Sequence, residues 1–220
     1  MAAVQPQKSP SQSSDAQRKA SSNTKKIVLV GVGTLVVLAL IGFGLWWMRP
    51  PEMHGVVLQS PQRLADFTLD GSTGEPVSLS DFRGKPVLIY FGYTFCPDVC
   101  PTTLNDLTDM MEALGKKADD VQVIMVSVDP ERDTPEQLAS YLKYFDPRFI
   151  GMTGAKEDID AAATQFGVFY EAHEGTAATG YLVDHTSTVA LVDEDGYLRE
   201  IFSFDTPGED IAADVGYWLR

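Results

Sequence analysis

The chain has 220 residues, of which 44% are hydrophobic and 22% charged, with a formal net charge of −14. That is enough apolar material for one globular domain plus additional segments, and an acidic balance that argues against a nucleic-acid partner. The two cysteines are too few and too close together to serve as a disulfide scaffold.

Residues 1–26 hold Lys8, Arg18, Lys19, Lys25 and Lys26 against Asp15 alone, in a Ser-, Gln- and Ala-rich context, and read as a basic disordered tail. Residues 27–48 run without a charge, long enough for a helix to span a bilayer core of about 30 Å. Trp46 and Trp47 sit at the far end, followed by Arg49, where aromatic residues favour the membrane interface. The basic residues precede the span, so the expected orientation keeps the N-terminus cytoplasmic and exports the rest. A cleaved signal peptide is the rival reading. The apolar run is long for one, and WWMRPP is a poor cleavage site. Residues 49–61, opening on Pro50 and Pro51, read as a linker in which His54 has no partner pattern around it.

The body, residues 62–220, alternates strand and helix signals. FTLD and PVSL (67–70 and 76–79) flank the turn-rich GSTGE and predict a hairpin; residues 80–83 read as a short turn or a one-turn helix. PVLIYFGY (86–93) and VQVIMVSVD (121–129) are continuous apolar runs, as strands buried on both faces require. Residues 101–114 place Leu104, Leu107, Met111 and Leu114 on one helical face. A helix over 134–145 opens with Thr134 as cap and Pro135 in the first turn. Another covers 156–167, closed by Gly167. VFYEAH (168–173) predicts a strand before a Gly/Ala/Thr loop. Residues 181–202 predict a hairpin turning at Asp195-Gly196, and residues 207–219 a final helix. This order predicts an α/β fold with a mixed sheet flanked by helices.

The chemistry centres on YFGYTFCPDVCP (90–101). Cys96 and Cys100 lie where a buried strand gives way to a helix, and the i, i+4 spacing puts them one turn apart once the helix has begun. Free N–H groups and the helix dipole favour thiolate there, and Pro97 and Pro101 fit a first helical turn. Two such thiolates can bind copper(I) or zinc, or be oxidised to a disulfide, and export makes both states reachable. A redox pair after the first central strand points to a thioredoxin-like arrangement. The bland alternative is two buried thiols acting as small hydrophobes. His185, in VDHTST, reads as readily as a hydrogen-bonded strand histidine as a ligand. It becomes a candidate because two thiolates leave copper short of ligands and imidazole suits copper. Asp184 is a candidate orienter of His185 or a helper at the entrance to the site, and Asp129 a residue able to touch the site. Asp129 and Asp133 also read simply as strand end and turn. His173 reads as solvent-exposed.

GKPVLIYFGYTFCPDVCP, VSVDPERDTPEQL and YLVDHTSTVALVDEDG, in this order behind an N-terminal apolar span, resemble the Sco/SenC family of copper chaperones over nearly all of residues 64–220. Generic thioredoxin relatives have two residues between their cysteines rather than three, and a cis-proline facing the pair. No proline lies between Thr153 and Pro207 here. Peroxidase relatives share the DFTL…GKPVL opening but not this cysteine spacing. The resemblance implies a thioredoxin-like fold with an added β-hairpin, and a copper ion, Cu(I) or Cu(II), bound by Cys96, Cys100 and His185. It also implies a role in maturing the dinuclear copper centre in subunit II of cytochrome c oxidase. Other copper carriers or thiol–disulfide reductases are the remaining expected partners. The tail lacks the Arg-rich, acid-free character of a mitochondrial transit peptide, so the expected place is a bacterial inner membrane, single-pass, with the body periplasmic. The same dithiol supports a second activity, a thiol–disulfide oxidoreductase that reduces the cysteines of the copper acceptor.

Overall fold

A computed structural model describes residues 31–35, 37–46, 52–176 and 180–219, in two compact units, Met1–Glu52 and Met53–Arg220. In the first unit, residues 31–35 and 37–46 are helical, with Leu35, Leu38, Leu40, Phe43, Leu45 and Trp46 more than half exposed. Among the described residues no helix is long and apolar enough to cross a membrane. The expected tail over 1–26 lies outside the described residues, as do positions 27–30, 36 and 47–48 of the expected span.

The second unit runs β1 (Val56–Val57), β2 (Thr68–Gly71), β3 (Pro76–Ser78), β4 (Val87–Gly92), α1 (Val99–Leu114), β5 (Gln122–Ser127), α2 (Pro135–Leu142), β6 (Ile150–Thr153), α3 (Lys156–Gln165), β7 (Tyr170–Glu174), β8 (Tyr181–His185), β9 (Val189–Val192), β10 (Leu198–Phe202) and α4 (Gly208–Trp218). Eight strands form one mixed sheet in the order β1-β10-β9-β4-β5-β6-β2-β3. β4 lies near its middle and is buried along its whole length, which is why its sequence is apolar without alternation. It pairs in parallel with β5 from Val87↔Gln122 to Gly92↔Ser127 and antiparallel with β9 from Val87↔Val192 to Tyr90↔Val189. α1 buries Leu104, Leu107, Met110 and Met111. α4 lies against α1 so closely that a Cβ on Gly208 would fall 2.3 Å from the Asp106 carbonyl oxygen.

The predicted β2–β3 and β9–β10 hairpins form, the second turning through Gly196 at φ 86°. Thr134 caps α2, its hydroxyl accepting from the Gln137 N–H at 3.2 Å, although that helix stops at Leu142. One strand is unannounced in the sequence and two expectations need correction. First, β6 joins the sheet in parallel beside β5. Its apolar run is interrupted by Gly151, which is there because Leu138 of α2 packs directly over it, 2.6 Å from where a Cβ would stand. Second, residues 181–202 are not one hairpin. The chain leaves the first strand after His185, and β8 pairs instead with β7, from Tyr170↔His185 to Glu174↔Tyr181, as a separate two-stranded ribbon.

Third, the segment read as linker is part of the body from His54 on. β1 pairs with β10. The His54 ring is 3.0 Å from Asp214 through Nδ1 and 3.5 Å from Asp210 through Nε2. The His54 and Gly55 N–H groups donate to Asp214 Oδ2 at 2.6 and 3.0 Å, and Gly55 N–H also donates to Glu200 Oε1 at 3.2 Å. Trp218 Nε1–H donates to Glu200 Oε2 at 2.9 Å. Glu200 and Asp214 are buried. Burial, with Asp214 alongside, pushes the Glu200 carboxyl up to about 7, while Asp214 is lowered, the hydrogen bonds from His54, Glu200 and Gly55 outweighing its burial. Folding therefore takes up a proton at Glu200 between its ordinary 4.5 and about 7. That contribution is complete below the window and lost as pH rises through it, whereas the Asp214 contribution is lost only as pH falls below 3.8. Glu200→Gln is expected to flatten the decline in stability across that window, as read by denaturant unfolding at a series of pH values. Parallel curves for the two proteins would contradict this.

Candidate metal centre

β4 delivers the chain to the site and α1 carries it away. Between Gly92 and Val99 the backbone turns sharply, so helix formation begins only after Cys96. Cys100 lies in the first turn of α1 and is fully buried; Cys96 stands ahead of the helix and is partly exposed. The Cys100 N–H, one of the donors a helix start leaves without a partner in the chain, points at the Cys96 sulfur, 3.4 Å away. The pair thus meets by a sulfur reaching back over the helix end rather than by two side chains sharing a helical face. Pro97 precedes the helix, and Pro101 sits in the first turn, where its missing N–H costs nothing. Gly92 makes the approach possible, since a Cβ there would fall 2.6 Å from Tyr90 Cε1 and 3.0 Å from Cys100 Sγ.

The loop is held from beneath by Asp133. This carboxylate is fully buried and accepts from Thr94 N–H at 3.0 Å, Thr94 Oγ1 at 2.6 Å and Ser127 Oγ at 2.6 Å. It fixes the residue two before Cys96 to the end of β5. Burial pushes its pKa up.

His185 ends β8. Its Nε2 lies 3.4 Å from Cys100 Sγ and its Nδ1 lies 3.3 Å from the Thr186 carbonyl oxygen. Nε2 is therefore the ring nitrogen that faces the sulfurs, and Nδ1 the one turned to the backbone. Tyr90 and Tyr93 set their rings edge-on against the imidazole, with centroids 5.9 and 6.0 Å away. The ligating atoms of Cys96, Cys100 and His185 all lie within 4.8 Å of one another. The two thiols are driven apart in acidity. The hydrogen bond from the Cys100 side chain lowers Cys96 to about 3 against the opposing effect of burial, with help from His185 and the N–H groups of Asp98 and Cys100. Cys100 is raised by that same contact with Cys96 and by burial. These opposite directions favour the proton on the buried sulfur and the charge on the accessible one. Two sulfurs and an imidazole nitrogen form a donor set suited to a soft or borderline metal ion.

The structure brings these three residues together and leaves the other candidates aside. The Asp184 side chain is 82% exposed and pairs with His173 at 3.2 Å; the strand's alternation turns it to the face opposite His185, so the Thr186 carbonyl, not Asp184, meets the ring. His173 is on β7 and about half exposed, as expected. Asp129 is buried but spends its oxygens on Arg132 and the Tyr181 hydroxyl. Gly92, Asp133 and Arg132 were not singled out in the sequence as site residues; the one available signal was a glycine closing an otherwise apolar strand.

The family model for SCO1/SenC matches residues 58–220. The SCO2-like protein of Rickettsia felis is 37% identical over 203 residues, covering 87% of this chain and 96% of that protein. The copper-bound structure of Bradyrhizobium japonicum ScoI superposes with a TM-score of 0.66 at 39% identity, over 71% of this chain and 99% of that one. BsSco, described as a member of the Sco family of cytochrome c oxidase assembly proteins with a disulfide switch, superposes with a TM-score of 0.58 at 27% identity, over 74% of this chain and 97% of that one.

Proposed function

The chain belongs to the SCO1/SenC family, and on that premise we propose that it carries copper as cargo, bound by Cys96, Cys100 and His185, and delivers it to, or prepares, the dinuclear copper site of cytochrome c oxidase subunit II. The observation that carries the reading is the convergence of two sulfurs and the His185 nitrogen within 4.8 Å. The donor set fits the cargo: thiolates suit copper(I), and the imidazole supplies the nitrogen that copper(II) prefers. Cys96, accessible and already inclined to the thiolate, is the natural point of entry and exit. Release proceeds by ligand exchange, a partner's cysteine sulfur replacing Cys96 and then Cys100, with no change in oxidation state required.

Residues 27–48 anchor the body in the inner membrane, with the basic tail cytoplasmic and residues 62–220 periplasmic. The charge-free run, the basic residues before it and the exposed apolar side chains along residues 31–46 support this placement.

A second reading is favoured by the asymmetry of the thiols. An accessible thiolate beside a buried, protonated partner is what a dithiol reductase uses: Cys96 attacks a partner's disulfide and Cys100 resolves the mixed disulfide. Both readings serve one acceptor, because its cysteines must be reduced before they take copper.

The test has two arms. Copper-loaded protein mixed with the reduced, metal-free copper domain of subunit II is expected to generate the acceptor's copper absorption; the oxidised acceptor isolates the reductase reading. No transfer and no thiol exchange would remove both activities. In intact spheroplasts, a membrane-impermeant thiol reagent is expected to label Cys96, and protection until lysis would refute the orientation.

A further inference from the structure

Among the described residues no strand ladder joins the ribbon that carries His185 to the main sheet, and a two-stranded ribbon is marginal by itself in water. Apart from the short backbone connection from His185 to β9, its placement against the cysteines is left to side chains. At one end Tyr170 bonds Asp160 of α3. In the middle the Tyr93 hydroxyl accepts from the Val183 N–H at 3.2 Å. At the first residue of β8 the fastening is Arg132. Its Nη1 donates to the Tyr181 carbonyl oxygen at 3.0 Å, and its guanidinium lies 3.7 Å from the Tyr181 ring centroid, 4.8 Å from that of Phe95 and 5.7 Å from that of Tyr93. Asp129 ties the assembly off, accepting from Arg132 Nε and from the Tyr181 hydroxyl.

One guanidinium therefore joins the turn after β5, the residue immediately before Cys96 and the strand that ends in His185. A planar fork that stacks on rings while donating in its own plane suits this task, and an ammonium does not. The Arg132 side chain is 18% exposed and Asp129 3%, so the pair is largely removed from water. Neither touches the three candidate ligands through any bond described above.

We propose that Arg132 is a positioning residue for His185, clamping the β7–β8 ribbon onto the cysteine loop so that the imidazole faces the two sulfurs. It rests on the proposed copper reading for its metal-dependent consequence, and on the fold alone for its mechanical one. Outer residues that hold a ligand in place typically change metal affinity by about 10–100-fold.

The experiment uses the full-length chain with Arg132→Met, and Arg132→Lys as the milder variant should the first not fold. In the metal-free protein, amide exchange across Tyr181–His185 is expected to accelerate while β4 and β5 keep their protection. Copper(II) affinity is expected to fall by about 10–100-fold, and this loss is expected to vanish when Arg132→Met is made in a His185→Ala background, because the clamp acts through that ring. Unchanged ribbon exchange, or a loss of equal size in both backgrounds, would overturn the proposal. A wild-type chain that binds no copper would instead defeat the copper reading, and ribbon exchange would still decide the role of Arg132.

Discussion

Cys100→Ser is expected to abolish tight copper binding while leaving the fold in place. The Cys100 sulfur is fully buried, 3.4 Å from His185 Nε2, and shares the corner with Cys96 Sγ. A serine hydroxyl is a hard, weakly acidic donor and does not replace a thiolate for a soft ion. Structural zinc sites with four ligands, the nearest yardstick, are worth roughly 10–16 kcal/mol. Losing one ligand should therefore cost about 3 kcal/mol, or at least about 100-fold in affinity. The folding penalty is smaller, because the residue shrinks by little and keeps its backbone contacts. Cys96→Ser is expected to match the loss of copper with less effect on stability, since that side chain is only half buried. Competition against a copper(I) chelator measures the first quantity and the denaturation midpoint the second. Retention of wild-type affinity by either variant would exclude a two-thiolate site.

Asp133→Ala is expected to be the most damaging substitution outside the cysteines. Three donors converge on this carboxylate, and removing it leaves the buried Ser127 hydroxyl unpaired and the two part-buried Thr94 groups to find water, at about 1–3 kcal/mol for each group that finds no new partner. A destabilisation of about 2–4 kcal/mol follows. The Thr94 backbone is then released from the end of β5, so the cysteine loop loses its seat and copper affinity falls as well. Asp133→Asn separates these effects. The amide keeps one acceptor oxygen and escapes the burial penalty on the charged form, which is the cause of the raised pKa, so it should recover part of the stability. An alanine variant with unchanged unfolding midpoint would show that the loop is held by other contacts.

What the sequence made legible follows from which physical signals are local. β4 and β5 are buried on both faces, and that condition writes itself as unbroken apolar runs. The cysteine pair stands out by its spacing at the end of such a run, and Gly196 and Gly167 announce backbone turns that favour glycine. β6 stayed hidden because its glycine answers to Leu138, a neighbour in space rather than in sequence. Asp129, Arg132 and Asp133 sit in a segment, SVDPERDT, that reads the same whether its polar groups face water or are buried and paired. Their roles depend on Thr94, Phe95 and Tyr181, from distant parts of the chain. His54 is illegible for the same reason, since Asp210 and Asp214 belong to the last helix. For Asp184 the sequence does hold a signal against orienting the ring: adjacent residues on a strand face opposite ways.

Whether Cys96, Cys100 and His185 act as one copper site is tested directly by titrating the reduced, metal-free full-length chain with copper(I) and copper(II). One copper per chain, with a thiolate-to-copper charge-transfer band for copper(II) that shifts in His185→Ala, is the predicted result. An intact dithiol that takes up no stoichiometric copper, or a copper(II) spectrum indifferent to His185, would contradict it.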